Sequence, residues 1–476
     1  MPRPLGRRDF LRLANGVGLG ALATALTGCS FLENTASASS RSFLSLPGVK
    51  VPKVLVGSSA KQPAGLFFVT ASGGTGETGP MIFDQAGQPV WFNPRTGTPT
   101  ANLRVQRYRN QPILTWWEGS VANGYGQGNY IGVDQEYHEV FQLSLGNGLA
   151  GDLHEFLITE HDTALVCAYQ TRLLTGGQNV LDCVIQEVAI PSGDVRFEWR
   201  AADHVKPSAS YAEVPSDASA FDFFHSNAID PYDDQHLLIS SRNTWTIYKV
   251  AKTDGHIVWR LGGKYSDFSQ PEDTRFEWQH DARWIGGGLT LFDNGADPKV
   301  EAQSRALILD VDEAARTTAL RQQFLHPKAP SAGSQGNAQR LADGSMVVGW
   351  GAQPYVTHHA PDGTVLLDAT LPEAMYSYRA FLFEWEGRPT TQPQVSFNRD
   401  LTGGVTARAS WNGATQIDRW EIWAGRGDQP RLVARQRKTA FETTLHGHAT
   451  ESHFEVRAFD TGGALLGTTA FDRGPT

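Results

Sequence analysis

Stretches with the 3.6-residue hydrophobic period of a helix are few in this chain, and their scarcity excludes an α/β barrel, which needs a helix after each strand. Positive charge is short as well. Lys and Arg number 41 against 50 Asp and Glu, a formal net charge of -9 at pH 7. Nucleic acid is therefore excluded as the main partner, because such binders carry a basic footprint. A local cationic pocket for an anionic substrate is not excluded. Residues 13–27 are moderately apolar and Gly-rich, but too short for a convincing membrane span. No His-x-x-x-His spacing occurs, and the adjacent pair His358-His359 stands beside the turn Pro361-Asp-Gly. Zinc wants three or four ligands at fixed distances, so no metal is expected. What is plentiful points to β structure rich in tight turns: 49 glycines and 13 tryptophans. The 476 residues exceed one ordinary domain, although all-β propellers run long as single units.

Residues 1–29 read as a targeting segment. Gly6-Arg7-Arg8-Asp9-Phe10-Leu11-Arg12 resembles a twin-arginine export signal, lacking the usual Ser or Thr before the arginine pair. Leu26-Thr27-Gly28-Cys29 resembles a bacterial lipobox, whose cysteine is lipidated and becomes the new N-terminus. The alternative is a soluble secreted protein with an unrelated cysteine there. Residues 30–45, rich in Ser and Ala, would form a tether. The expectation is a monomer exported by the twin-arginine route and anchored through Cys29 on the periplasmic or outer face of a membrane. Of the three cysteines, Cys167 and Cys183 flank a turn at 174–179. A turn centred near residue 175 would set them face to face across a hairpin. A disulfide is one reading in an exported protein. Two buried free thiols are the other, since directly opposed strand positions give imperfect disulfide geometry.

From Gly65 onward one phrase recurs: a polar strand entrance, an apolar strand, a second strand, then a Gly or Asp turn into a closing strand. The closing strands end at Trp91, Phe141, Trp199, Trp259, Phe324 and Leu367, at intervals of 43 to 65 residues. The entrances keep step: Asn102-Leu-Arg, His154-Glu-Phe, His225-Ser-Asn, His280-Asp-Ala and Asn337-Ala-Gln. About four short strands per repeat read as an all-β fold, a six-bladed β-propeller over residues 46–388. Its innermost strands would begin at one mouth of a channel, so His154, His225, His280 and Asn337 are expected to converge there. Histidine handles protons near neutral pH, and Arg242, Arg283, Asn227 and Asn294 stand at neighbouring strand ends.

Several of these phrases resemble the arylsulfotransferase family. They are His225-Ser-Asn-Ala-Ile with Ser240-Ser-Arg242-Asn, Trp259-Arg-Leu-Gly-Gly-Lys264, Gln279-His280-Asp-Ala-Arg, Leu291-Phe-Asp-Asn-Gly295, Ser334-Gln-Gly-Asn-Ala-Gln-Arg-Leu341 and Gly349-Trp-Gly-Ala-Gln-Pro354. The resemblance runs from about Gly65 to Trp385. It implies a six-bladed propeller that moves a sulfuryl group from an aryl sulfate to a phenol through a sulfated histidine, without a nucleotide donor or cofactor. Two family active-site histidines fall on His225 and His280. The family's arginine after the Asp-Asn-Gly turn would fall near Asp297 or Pro298, and neither replaces it. Its covalent histidine comes from a later blade, where this chain offers Gln335-Gly336-Asn337.

The expected assignment follows. His225 or His280 is the nucleophile, the other is acid and base, and Arg242 holds the sulfate by its planar fork. His154, Asn227, Arg283, Asn294 and Asn337 are expected to contact substrate, although Arg242 and Arg283 are equally suited to salt bridges with Asp281 or Asp293. Trp116, Trp117, Trp245, Trp350 and Tyr355 suit either aromatic stacking on a substrate or packing between blades. After Gly387-Arg-Pro389 the period breaks. Seven short strands between 395 and 471, with Trp411 on the second, resemble a fibronectin type III module, so residues 389–476 are expected to form a small β-sandwich. Two rival functions stand beside the enzyme: an exported, non-catalytic binding or scaffold propeller, and a quinone-cofactor propeller, which usually needs more blades. A retained enzyme should bring at least two of the three histidines near one arginine in an open funnel.

Overall fold

The computed structural model describes residues 39–59, 64–217, 219–427 and 429–472. Residues 1–29, with Cys29, lie outside the described residues. The chain is all-β, and the longest helix among the described residues, Ala201–His204, has four residues. No helix among the described residues is long and apolar enough to cross a membrane.

Four four-stranded meanders follow in order. The first sheet runs from Thr100–Tyr108 to Glu139–Leu143, the second from Phe156–Ile158 to Val195–Arg200. The third runs from Ser226–Asp233 to Ile257–Gly262, the fourth from His280–Trp284 to Thr317–Phe324. The fifth and sixth sheets mix distant parts of the chain. Asn337–Arg340 to Val365–Thr370 takes Leu55–Ser59 as a fifth strand, and Leu66–Gly73 to Pro89–Phe92 takes Met375–Tyr376 and Ala380–Phe383.

Burial explains why these sequences form strands of this kind. Middle strands such as Thr246–Ala251 and Gly288–Asp293 are buried at every position, so they are covered on both faces. Closing strands such as Thr317–Phe324 alternate between exposed and covered side chains. Apolar clusters fill the spaces between sheets. Leu165 and Ile185 of the second meet Ile229 and Leu237 of the third, and Leu238 and Ile247 of the third meet Leu289 and Leu307 of the fourth. Similar clusters join first to second, fourth to fifth, fifth to sixth, and sixth to first. Each fully buried Leu or Ile contributes about 1.5–3 kcal/mol.

The hairpin register separates the two cysteines. Cys183 faces Tyr169 and Cys167 faces Ile185, because the turn centres one residue later than the spacing suggested. The disulfide reading is thereby corrected: both thiols are free and buried.

Beyond Trp385 the chain forms two more sheets, one of three strands and one of four, around Trp420, Ile422 and Val456. They dock on the sixth and first sheets. Asn412 exchanges two 2.9 Å hydrogen bonds with the backbone of Phe92, and the Tyr137 hydroxyl donates to Gly413 O at 2.9 Å. Gly413 has φ +91°, and a Cβ there would lie 2.5 Å from the Tyr137 ring, so this approach requires glycine. The tether expectation fails where the chain is described. Ser40–Ser42 pairs with Lys50–Pro52, Phe43 packs on Phe441 at 4.6 Å, and Ser45 bonds to Ser410 and Glu442.

Candidate active site

Inner strands enter their sheets through a local kink. The ladder shifts register at Ala101/Arg104, Ser226/Ala228 and His280/Arg283, and Asn102, His225, Asp281 and Gln335 have φ between 55° and 66°. A bulge turns side chains out of the sheet. Left-handed backbone at a non-glycine residue costs about 1–2 kcal/mol, a cost held in place by the surrounding sheets.

The kinked ends surround a cavity of about 620 Å³ lined by His154, His225, His280, Arg242, Trp117 and Tyr378, with residues on or just beside strands of all six sheets in its wall. His154 and His225 meet edge to face, ring centroids 4.7 Å apart, with Nε2 atoms 3.2 Å apart. Each ring is held from behind by a carboxylate: His225 Nδ1 by Asp222 at 2.5 Å, and His154 Nδ1 by Asp152. Burial holds His154 below the ordinary histidine value, although Asp152 pulls the other way.

His280 is set differently. Its Nδ1 donates to Asn294 Oδ1 at 2.7 Å and approaches Trp278 O at 3.1 Å, while its Nε2 accepts from the Gln335 N–H at 3.1 Å. The Asn294 amide is itself oriented by donating to Ala332 O and Gln335 O, both at 2.9 Å. These contacts fix the neutral tautomer with the lone pair on Nε2. Burial, then the Arg242 charge, drives the pKa of His280 well below the ordinary value. It is a neutral imidazole with an aimed lone pair.

Arg242 supplies the positive charge of the cavity wall. Its hydrogen bonds go to neutral oxygens: Asn243 Oδ1 at 2.9 Å, Gly333 O at 3.1 Å and Asp297 O at 3.3 Å. Its guanidinium lies 4.6 Å over the Trp278 ring. Burial lowers its pKa from the usual arginine value.

The remaining expected site residues do not reach the cavity. Arg283 is bound into a buried ionic cluster with Glu155 at 2.5 Å and Asp281 at 2.7 Å, the salt-bridge alternative with a further carboxylate. Arg379 joins Glu155 at 3.2 Å and Asp281 at 3.3 Å, and Arg104 joins Glu155 at 3.3 Å. Burial opposes ionisation of Glu155, yet Arg283, Arg379 and Arg104 outweigh it and hold the carboxyl at about 2. Asn227 and Asn337 are fully buried and tie sheets together, Asn227 by donating to Gln279 O at 2.6 Å and Asn337 by a two-way bond with Ala380 at 2.8 Å. Direct substrate contact by these three residues is therefore corrected to a structural role; Asn294 acts through His280. Of the aromatics, Trp117 lines the cavity, while Trp116 and Trp350 are core. Trp245 stacks on Tyr211 at 3.6 Å, and Tyr355 packs on His326 at 4.5 Å. Sequence reasoning missed Tyr376 and Tyr378 on the wall, and Asp152 and Asp222 behind the imidazoles. Both aspartates precede their histidines by two or three residues, a signal present in the motifs.

The fold and cavity define an all-β protein with imidazoles and one guanidinium gathered at strand entrances. A model of the arylsulfotransferase (ASST) family matches residues 104–371, more than half of the chain, and the chain belongs to that family. Among curated proteins no match is found. Solved structures of the GH43 protein BlXynB from Bacillus licheniformis, wild type and a point mutant, are similar at TM-scores of 0.31 and 0.32. Identity is 9% and 8%, covering 78% of this chain and 89% and 91% of those chains. Likeness at this level carries no argument about chemistry.

Proposed function

We propose that this chain transfers a sulfuryl group from an aryl sulfate to a phenol through a covalently sulfated His280, without nucleotide or cofactor. The observation that carries this reading is His280 itself, a neutral imidazole whose Nδ1–H is fixed by Asn294 and whose Nε2 lone pair borders the same cavity as Arg242 and His225. The donor sulfate lies against Arg242, whose planar fork suits an oxyanion. His280 Nε2 attacks sulfur and the S–O bond to the ring breaks. His225 gives its Nε2 proton to the departing phenolate. The Gln335 N–H, released from Nε2, is left to stabilise charge on the sulfuryl oxygens. A second phenol then gives its proton to His225 and attacks sulfur, and the N–S bond breaks. Trp117, Tyr376 and Tyr378 offer apolar walls to the aromatic rings.

Finer parts of the reading belong with it. The six sheets are blades of one propeller closed by strand 55–59 and strands 375–383, which the apolar cluster between sixth and first sheets supports. Residues 46–388 form that propeller and 389–476 a fibronectin type III-like module that braces it. Residues 1–29 direct twin-arginine export and leave a lipid on Cys29, so a monomer faces the periplasm or cell exterior. A non-catalytic scaffold is disfavoured by the unplugged cavity. The test is initial-rate kinetics with a chromogenic aryl sulfate and a phenol. Parallel double-reciprocal lines, and loss of turnover in His280→Ala, are expected. Full turnover in His280→Ala would remove His280 from the mechanism.

A further inference from the structure

His154 has no role in the scheme above, yet its Nε2 lies 3.2 Å from that of His225. Each Nδ1 of the pair meets a carboxylate oxygen and therefore carries a hydrogen. The two Nε2 atoms, 3.2 Å apart, then admit one hydrogen between them. With none, two lone pairs face each other; with two, two N–H groups collide. Four ring nitrogens thus hold three protons, one positive charge between two carboxylates.

We propose that Asp152, His154, His225 and Asp222 form one proton-sharing chain, in which His154 is a positioning residue and the single Nε2 proton serves the leaving phenolate. This rests on the reading of the cavity as an aryl sulfate site. As the S–O bond breaks, its electron pair stays on the phenolate oxygen, which takes the shared proton; an N–H bond breaks and an O–H bond forms. Two neutral imidazoles remain, lone pairs opposed and carboxylates behind them. A proton placed between the opposed lone pairs removes their repulsion. The acceptor phenol surrenders its O–H proton to the pair as the new S–O bond forms, and the resting state returns. No proton is gained or lost over the cycle.

The surroundings suit a proton that stays within the pair. Asp152 is fixed by N–H donors from Gly126 at 2.6 Å and His154 at 2.8 Å, and Cys167 Sγ lies 3.5 Å from it. The Tyr130 hydroxyl donates to Asp152 O at 2.7 Å. Tyr169 packs at 6.0–6.2 Å from both rings, and Tyr378 at 5.5 Å from His154. His280 and Arg242 line the same cavity, Glu155 adjoins His154 in the chain, and Cys183 lies near Asp152 and Asp222. Burial raises both thiols and all three phenols well above their usual values, so none of them competes for the proton near neutrality. A relay of this kind matters most when the departing phenol holds its proton tightly. The substrate class is therefore sulfates of unactivated phenols.

Two measurements on the full chain test this. In protein labelled with 15N-histidine, one pair of Nε2 resonances is expected midway between protonated and unprotonated shifts, moving together on titration. Two independently titrating imidazoles would overturn the proposal, whatever the wild type does with aryl sulfates. In His154→Gln, which keeps a hydrogen-bond acceptor but has no titratable nitrogen, the single-turnover rate of phenol release from phenyl sulfate without acceptor should fall about 10²–10⁴-fold. With 4-nitrophenyl sulfate, whose phenolate leaves without a proton, the loss should stay under about tenfold. Equal losses with both donors would reduce His154 to packing. Failure of the wild type on both donors would count against the transfer reaction, and the NMR result would still decide the shared proton.

Discussion

Adjacent residues at the same strand entrances meet opposite fates beneath the cavity. His154, His280 and Tyr378 line it, while Glu155, Asp281 and Arg379, each one residue further along, are sealed among ions of opposite sign. At each entrance a single residue step separates the two layers. In the upper layer His280 is a neutral ring whose hydrogen bonds can open for a substrate without stranding a charge. In the lower layer Arg104, Arg283 and Arg379 share Glu155, and removing one partner strands the others. Chemistry and stability are therefore separable between neighbours in sequence.

The largest effect that can break this comparison is on stability. Glu155→Gln should cost about 3–5 kcal/mol, the usual cost of opening a buried ion pair, as read from urea midpoints. A midpoint equal to the wild type would mean that the lower layer is not a structural hub. His280→Gln should cost clearly less, because it leaves no bare charge.

The repeat made much of this visible in the sequence. His154, His225 and His280 were recognisable because the same polar phrase opens successive strands, and Arg242 because it follows a short apolar strand; the structure gathers all four on one cavity. The seven C-terminal strands were legible once the repeat broke after Pro389. The lower layer was not, since Glu155 meets Arg104, Arg283 and Arg379 across 51, 128 and 224 residues of chain. The sixth entrance, at Tyr378-Arg379, escaped for a related reason: its sheet is assembled from residues 66–92 and 375–383, after the last closing strand has passed. Asn227 and Asn337 misled because a buried amide riveting two sheets recurs with the same period as a ligand contact.

A smaller effect sharpens the contrast between the two kinds of arginine. Arg242→Lys keeps the charge and loses the planar fork. About 1.5–3 kcal/mol of charge-assisted bonding is at risk, so kcat/KM for the aryl sulfate should fall roughly 10–100-fold while the urea midpoint stays near the wild type. An unchanged kcat/KM would take Arg242 out of sulfate binding.

The smallest effect separates the layers by pH. His280 is held below its ordinary value of 6.5, so the unfolded chain takes the proton first; its contribution is present above 6.5 and is lost as pH falls below it. Glu155 is held at about 2 against an ordinary 4.5, so its contribution survives to 4.5 and is lost only between 4.5 and about 2. Buried Asp230 and Asp293, raised to about 6, act in the opposite sense in every variant, so differences from wild type are the informative quantity. The stability difference between wild type and His280→Gln should shrink below 6.5, and that between wild type and Glu155→Gln only below 4.5. Two differences fading over one window would show that the layers titrate as one.

The most direct test of the central claim is the intact mass of the protein after an aryl sulfate is added without acceptor. The wild type is expected to gain one sulfuryl group, which a phenol then removes, while His280→Ala gains none. A wild type whose mass does not change, or a sulfuryl group still carried by His280→Ala, would contradict the account.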